Sequence, residues 1–358
     1  MDLVTLGWSP HWQDLFQPHE QAGLAPARVV TEDKHYYTVV SDQGPHLGQI
    51  VGRLLHLRAD NAQLPKVGDW VAIRRPAQTD RVSIEAVLPR RSTLDRKIAG
   101  RAGSGQVLAA NVDVALIVQA LDETLNLRRI ERFLVMVHEG GSRPVVLLNK
   151  TDLCDDVEAH VAEVQAIAGE HPVLAVSART GRALPRIREL LLPGTTSVVL
   201  GTSGVGKSTL INRIYGERIQ PTLPVRESDS KGRHTTSTRE LILLPQGGLI
   251  IDTPGLREFH LWLADVGLDD TFPDLAEIAS RCRFRDCRHH SEGGCAVQQA
   301  VLDGTVPKAR LDSYHKLHSE LDAVAERRQQ HVWAVNRRKV RGGTKAYLQN
   351  HLPEDDEE

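Results

Sequence analysis

Gly201-Thr202-Ser203-Gly204-Val205-Gly206-Lys207-Ser208, with Thr209 next, follows the pattern G-x-x-x-x-G-K-[ST]. Glycines at these positions let backbone N–H groups turn toward phosphate oxygens with no Cβ in the way. A helix beginning near Lys207 aims its positive end at the same point; Lys207 neutralises β/γ oxygens and Ser208 reaches Mg²⁺. The flanks agree with this reading. An apolar strand, Ser197–Leu200, precedes the loop, and helical spacing over Lys207–Tyr215 follows it.

Working outward, strand and helix patterns alternate. Strands are expected at Val112–Val118, Pro144–Leu148, Val173–Val176, Leu241–Leu244 and Leu249–Ile251. Helices are expected over Leu127–Val137, after Asp155 and over Leu184–Leu192. Strands that are apolar throughout and joined by helical crossovers imply a parallel sheet covered on both faces. At the end of the last strand lies Asp252-Thr253-Pro254-Gly255, where Asp252 can hold magnesium through water and the Gly255 N–H can sense a γ-phosphate.

Asn149-Lys150-Thr151-Asp152 stands directly after the strand Pro144–Leu148. Guanine presents two donors, N1–H and the N2 amino group, which one carboxylate accepts together. Adenine would leave Asp152 unsatisfied, and that supplies discrimination. Asn149 is expected to tie this loop to the phosphate loop, with the Lys150 stem along the base. Ser177-Ala178, after the next strand, is expected to offer backbone N–H to guanine O6. The nucleotide is therefore GTP. A P-loop kinase would leave Asn149–Asp152 without a purpose; a GTP-gated RNA-binding module with incidental turnover is the rival from another class. The base loops come first in the chain, then the phosphate loop, then Asp252. That order is circularly permuted, joined through Leu192–Thr196, and it places the Asp252 segment directly before the C-terminal region.

Residues 1–107 read as β. Five short segments, Ala27–Thr31, Tyr36–Ser41, Leu47–Leu55, Asp69–Arg74 and Val82–Leu88, are separated by turn residues and suit an OB-type barrel. Residues 108–260 form the nucleotide domain. Residues 261–358 carry Cys282-x₄-Cys287-x-His289-x₅-Cys295, then a helical pattern at Leu311, Tyr314, Leu317, Leu321 and Val324. A basic stretch between Arg327 and Lys345 holds seven Lys/Arg and no acid, and an acidic tail ends the chain. Three thiolates and an imidazole make a closed tetrahedral set, a structural zinc site with no ligand position for water. His290 is the alternative fourth ligand. Arg281, Arg283, Arg285 and Arg288 alternate with the ligands and would meet a nucleic-acid backbone.

Composition sets the outer limits. With 358 residues, 41% hydrophobic and 25% charged, the chain belongs with ordinary globular proteins, not disordered ones. A formal net charge of −2 excludes a histone-like cationic field while leaving room for basic patches. No basic n-region precedes an apolar run at the N-terminus, and no apolar stretch approaches the ~18 residues of a membrane span. A cytoplasmic monomer is expected, with no membrane partner.

The permuted order, Gly201–Thr209, Gly-Arg-His-Thr-Thr at 232–236, Asp252–Gly255 and the cysteine–histidine cluster together resemble the RsgA family. The resemblance covers nearly the whole chain. It departs at His-Thr-Thr-Ser, where the family has a longer threonine run, and at the acidic C-terminus. It implies an N-terminal OB domain and a GTPase stimulated by the small ribosomal subunit, binding rRNA and acting late in maturation of that subunit. It also favours His289 as the fourth zinc ligand. Leu256 stands where many GTPases carry a water-orienting glutamine, and Gly204 where potassium-activated ones carry asparagine. His234 is then the candidate that orients the attacking water, and Thr235 or Thr236 completes the magnesium shell begun by Ser208.

Overall fold

The computed structural model describes residues 2–33, 36–52, 54, 63–76, 81–97, 105–123, 125–216, 239–252, 268, 271–319 and 322. Five strands close the N-terminal barrel: β1 (Ala25–Glu32), β2 (Tyr37–Ser41), β3 (Gly44–Ile50), β4 (Trp70–Arg74) and β5 (Arg81–Val87). Their order, β1-β2-β3-β5-β4, returns to β1 through the antiparallel pairs Ala25↔Ile73 to Arg28↔Trp70, so no edge stays open. Ala27, Val29, Val39, Val71, Ile73 and Ile84 fill the interior. The five expected segments became these five strands.

The helix α1 (Pro10–Gln21) was not expected in a region that reads as β. Ser9 holds the N-cap position without a side-chain bond to the helix, and Pro10 occupies the first turn, where a missing N–H costs nothing. Trp12 and Phe16, one turn apart, are buried against Trp8 and Trp70. A hairpin of β6 (Thr93–Lys97) and β7 (Gly105–Ala110) then leads into the second domain.

There the sheet runs β10-β9-β8-β11-β13-β12. Its strands are β8 (Val114–Ala120), β9 (Arg143–Asn149), β10 (Val173–Ala175), β11 (Thr196–Leu200), β12 (Glu240–Leu243) and β13 (Leu249–Asp252). The first five strands in this order run parallel; β12 instead pairs antiparallel with β13, because only the five-residue turn 244–248 separates them. Helices α2 (Leu127–Glu139), α3 (Val157–Ala168), α4 (Leu184–Leu190) and α5 (Lys207–Tyr215) cover the faces. Every residue of β8 and β11 is buried, as a strand covered on both faces requires.

Two polar junctions fasten the flanking parts to this sheet. Arg28 of β1 is buried, and its guanidinium donates to Gly68 O at 3.1 Å, Thr196 Oγ1 at 2.9 Å and Leu6 O. It also lies 5.1 Å from the Trp70 ring centre. Burial pushes its ionisation down to about 10. On the other side, Arg310 holds Asp274 at 2.8 Å and reaches Glu131 of α2 at 3.5 Å, over the face of Phe272. Val135 of α2 enters the same C-terminal core as Phe272, Leu275 and Leu311. That core also uses α6 (Pro273–Ala279), α7 (Ala296–Leu302) and a helical run at 308–319. Among the described residues no helix is long and apolar enough to cross a membrane.

Candidate functional site

The parallel strands deliver the sequence motifs to one edge of the sheet. Thr202–Gly206 follows β11, Lys150–Asp152 follows β9, Ser177-Ala178 follows β10, and Asp252 ends β13. This is where a parallel α/β sheet opens its crevice. Two glycines are required on steric grounds. Gly201 has φ +146°, and a Cβ there would stand 2.3 Å from Val118 O; Gly206 has φ +98°, and a Cβ there would stand 2.3 Å from Asn149 Nδ2. Gly206 also starts α5, whose free N–H groups face the loop. Lys207 Nζ curls back to Gly201 O at 2.8 Å and Thr202 O at 2.7 Å. Burial pushes its ammonium down to about 8, with Asp252 pulling it back up.

Asn149 carries the junction between the loops. It is 2% exposed; Nδ2 donates to Val205 O at 2.8 Å and Oδ1 accepts from the Ala178 N–H at 2.9 Å. One side chain thus holds phosphate loop and base loop together. Asp152 sits alongside, its Oδ1 accepting from Ser177 Oγ at 2.6 Å. Lys150 adopts φ +66°, and its Nζ pairs with Asp122 Oδ2 at 2.9 Å. Both amides meant for guanine O6 are engaged within the protein, Ser177 N–H on Arg182 O at 3.3 Å and Ala178 N–H on Asn149 Oδ1.

The C-terminal cluster brings Cys282, Cys287, His289 and Cys295 together with all four ligand atoms within 4.8 Å of one another. Cys282 Sγ lies 3.6 Å from His289 Nδ1 and 3.9 Å from Cys295 Sγ, and His289 Nδ1 lies 3.4 Å from Cys295 Sγ. The edge of a tetrahedron around zinc with bonds of about 2.3 Å is about 3.8 Å, so the donor set fits that ion. The Cys287 thiol is pushed up to about 11, by desolvation first and then by Cys295 and Cys282, a conflict that a bound cation relieves. His289 is buried, whereas His290 is exposed and stacks on His315 at 4.0 Å. Geometry therefore selects His289. Arg281, Arg283, Arg285 and Arg288 are all exposed around the cluster.

The RsgA GTPase family model matches residues 87–262, and a 50S ribosome-binding GTPase model matches 196–336. A small ribosomal subunit biogenesis GTPase RsgA from Opitutus terrae is 46% identical over 337 residues, covering 92% of each chain. Its counterpart in Syntrophotalea carbinolica is 43% identical over 90% of each. The chain belongs to the RsgA GTPase family. Among solved structures, YjeQ from Thermotoga maritima superposes with TM-score 0.61 at 30% identity, covering 83% of this chain and 98% of that one. YloQ, described as a circularly permuted GTPase, also gives 0.61, at 27% identity, covering 84% of this chain and 96% of that one.

For this RsgA-family chain, Asn149–Asp152, Ser177, Ala178, Gly201–Thr209 and Asp252 therefore gather at one edge. His234, Thr235, Thr236 and Gly255 lie outside the described residues, as do the stretch 327–345 and the acidic tail. Two participants were missed in the sequence. Asp122, two residues beyond β8, could have been noticed as an acid at a strand end facing the same crevice. Arg213, in the last turn of α5, carries no sequence signal: it bonds the carbonyls of Ala178 and Arg179, 34 and more residues away.

Proposed function

We propose that this chain hydrolyses GTP to GDP and phosphate, slowly alone and faster on the small ribosomal subunit, during late maturation of that subunit. The observation that carries the reading is Asn149, whose amide joins the phosphate loop at Val205 to the base loop at Ala178. That tie has a purpose only if one ligand spans both loops, a phosphate chain at one end and a purine at the other. Asp152 would accept from guanine N1–H and N2. Lys207 and the amides of 202–209 would hold the phosphates. Ser208, Asp252 through water, and Thr235 or Thr236 would hold Mg²⁺, which when bound neutralises charge on the β- and γ-phosphates. His234 would orient the attacking water, since an imidazole titrates near neutral pH.

The partner follows from the names of the relatives and from the arginine arc. Zinc on Cys282, Cys287, His289 and Cys295 would hold Arg281, Arg283, Arg285 and Arg288 rigidly toward rRNA phosphates. We divide the chain at 1–107, 108–260 and 261–358, and place it in the cytoplasm as a monomer.

The decisive experiment measures GTP hydrolysis alone, with small subunits and with large subunits. Small subunits should accelerate turnover by about 100- to 1000-fold, the worth of one positioned acid–base group. His234→Ala should abolish that stimulation while leaving GTP affinity nearly intact. Equal stimulation of the variant would move the catalytic group to the ribosome, and no stimulation of the wild type would sink the proposal.

A further inference from the structure

Arg213 stands in the last turn of α5, yet its guanidinium bonds a different loop. Its Nε donates to Ala178 O at 3.1 Å and its Nη2 to Arg179 O at 2.7 Å. An arginine in a last helical turn ordinarily answers that helix's own carbonyls or the negative end of its dipole. This one reaches across to another loop. Arg188 of α4 in turn donates to Arg213 O at 3.0 Å, so the two helices that flank the permutation joint are also bonded here.

The consequence follows from peptide geometry. A trans peptide is planar, and its C=O and N–H point in opposite directions. Fixing Arg179 O on the guanidinium therefore turns the Thr180 N–H the other way, where it donates to Ser177 Oγ at 3.1 Å. With that lone pair used, the Ser177 hydroxyl hydrogen is directed to Asp152 Oδ1 at 2.6 Å. Ser177 itself is buried, and its carbonyl closes the turn by accepting from Gly181 N–H at 2.8 Å. A continuous polar path thus runs from the phosphate-loop helix to the carboxylate at the base position: Arg213, peptide 179–180, Ser177, Asp152.

We infer that Arg213 is a positioning residue for guanine recognition, which sets the direction of the Asp152 carboxylate through the 179–180 peptide and the Ser177 hydroxyl. This rests on the reading of Asp152 as the base acceptor. The link matters because one carboxylate must meet two guanine donors at once, and a free rotation about its side chain would lose one of them. Since Arg213 projects from the helix that opens under the phosphates, the base loop is referenced to the phosphate loop from two sides, by Asn149 within and Arg213 without.

The test uses the full chain with Arg213→Met, Arg213→Lys and Ser177→Ala, titrated with GDP, ADP and inorganic pyrophosphate. Arg213→Met should lower the ratio of ADP to GDP dissociation constants about tenfold, as expected for loss of charge-assisted bonds at a surface site. Pyrophosphate affinity should not move, because it touches only the phosphate loop. Arg213→Lys should recover part of the ratio, and the Arg213→Met/Ser177→Ala double variant should be no worse than the poorer single one, as for residues on one path. An unchanged ratio in Arg213→Met, or an equal weakening of all three probes, overturns the inference. Asp152→Asn separates the two levels: if it fails to exchange guanine for xanthine preference, the base-pocket reading itself has failed.

Discussion

Replacing Asn149 by alanine removes one side chain and strands two backbone groups. Val205 O loses its donor and the Ala178 N–H loses its acceptor. Both residues are buried, at 2% and 3% exposure, so water reaches these groups poorly. An unpaired buried group costs about 1–3 kcal/mol, and the two together about 2–6 kcal/mol. For a domain of this size each kcal/mol lowers the melting temperature by about 2–4 °C, which predicts a fall of roughly 4–24 °C by calorimetry on the nucleotide-free protein. GDP affinity should fall at least about tenfold, since binding must now order loops that the fold no longer joins. The same junction can be attacked from its other side. A Cβ on Gly206 would lie 2.3 Å from Asn149 Nδ2, so Gly206→Ala should damage the wild type severely. With Asn149 already alanine that collision is gone, leaving only the strain of φ +98°, and the two losses should be less than additive. An Asn149→Ala protein that melts within about 1 °C of wild type and binds GDP unchanged would refute the bridging role.

Asp152→Asn exchanges an acceptor for a donor and should turn preference from GTP toward xanthosine triphosphate, read by competition binding; persistent GTP preference would remove Asp152 from the pocket. Lys207 titrates near 8 in the fold against 10.5 when free, so between these values the unfolded chain binds more protons and stability of the nucleotide-free protein should rise with pH. Denaturant unfolding at pH 8 and pH 10 checks this, and the rise should vanish in Lys207→Met. One zinc per chain should be found by metal analysis, and Cys287→Ala should lose it and loosen the 282–295 segment while guanine-nucleotide binding survives.

The central strands of the nucleotide domain were legible to within two residues because β8 and β11 are buried on both faces, leaving no competing period. The barrel strands were legible for the opposite reason, as short β-rich runs cut by Gly and Pro turns. The misses have local causes. In α1 only Trp12 and Phe16 are buried, too few to stand out against a surrounding β pattern. Helices α6 and α7 hold seven residues each, less than two full repeats of helical spacing. In the site, Asn149 and Asp152 were readable because their chemistry demands a fixed spacing. Arg213 was not, because its partners are set by tertiary approach alone. Glu131 reads as a surface residue of an amphipathic helix and is buried only because Arg310 and Phe272 arrive from the C-terminal core. Arg28 likewise meets Thr196 across 168 positions of sequence.

A permuted chain order keeps its site because sheet neighbours are chosen by burial and register, not by succession. β11 lies between β8 and β13, pairing Val198 with Ala115 on one side and Ile251 on the other, although 82 residues separate the first pair. What permutation does change is which loops are joined by covalent chain. Here the base loops enter through α4 and the joint at 191–195, and the phosphate loop follows. The joint is short, and its conformation is fixed from outside: Gly194 N–H donates to Gly247 O at 2.9 Å, and Thr196 N–H to Asp113 Oδ2 at 2.8 Å. Arg28 then clamps Thr196 from the barrel, so the first residue of the phosphate-loop strand is held by a group from the N-terminal domain. At the strand's other end the two loops are fastened by Asn149, and by Arg213 behind it. A strand pinned at both ends by groups distant in sequence cannot slide in register, and a one-residue slip would turn every side chain of β11 to the wrong face. The covalent break that permutation introduces is thus offset by side-chain bonds placed at the two ends of the one strand that carries the phosphate loop.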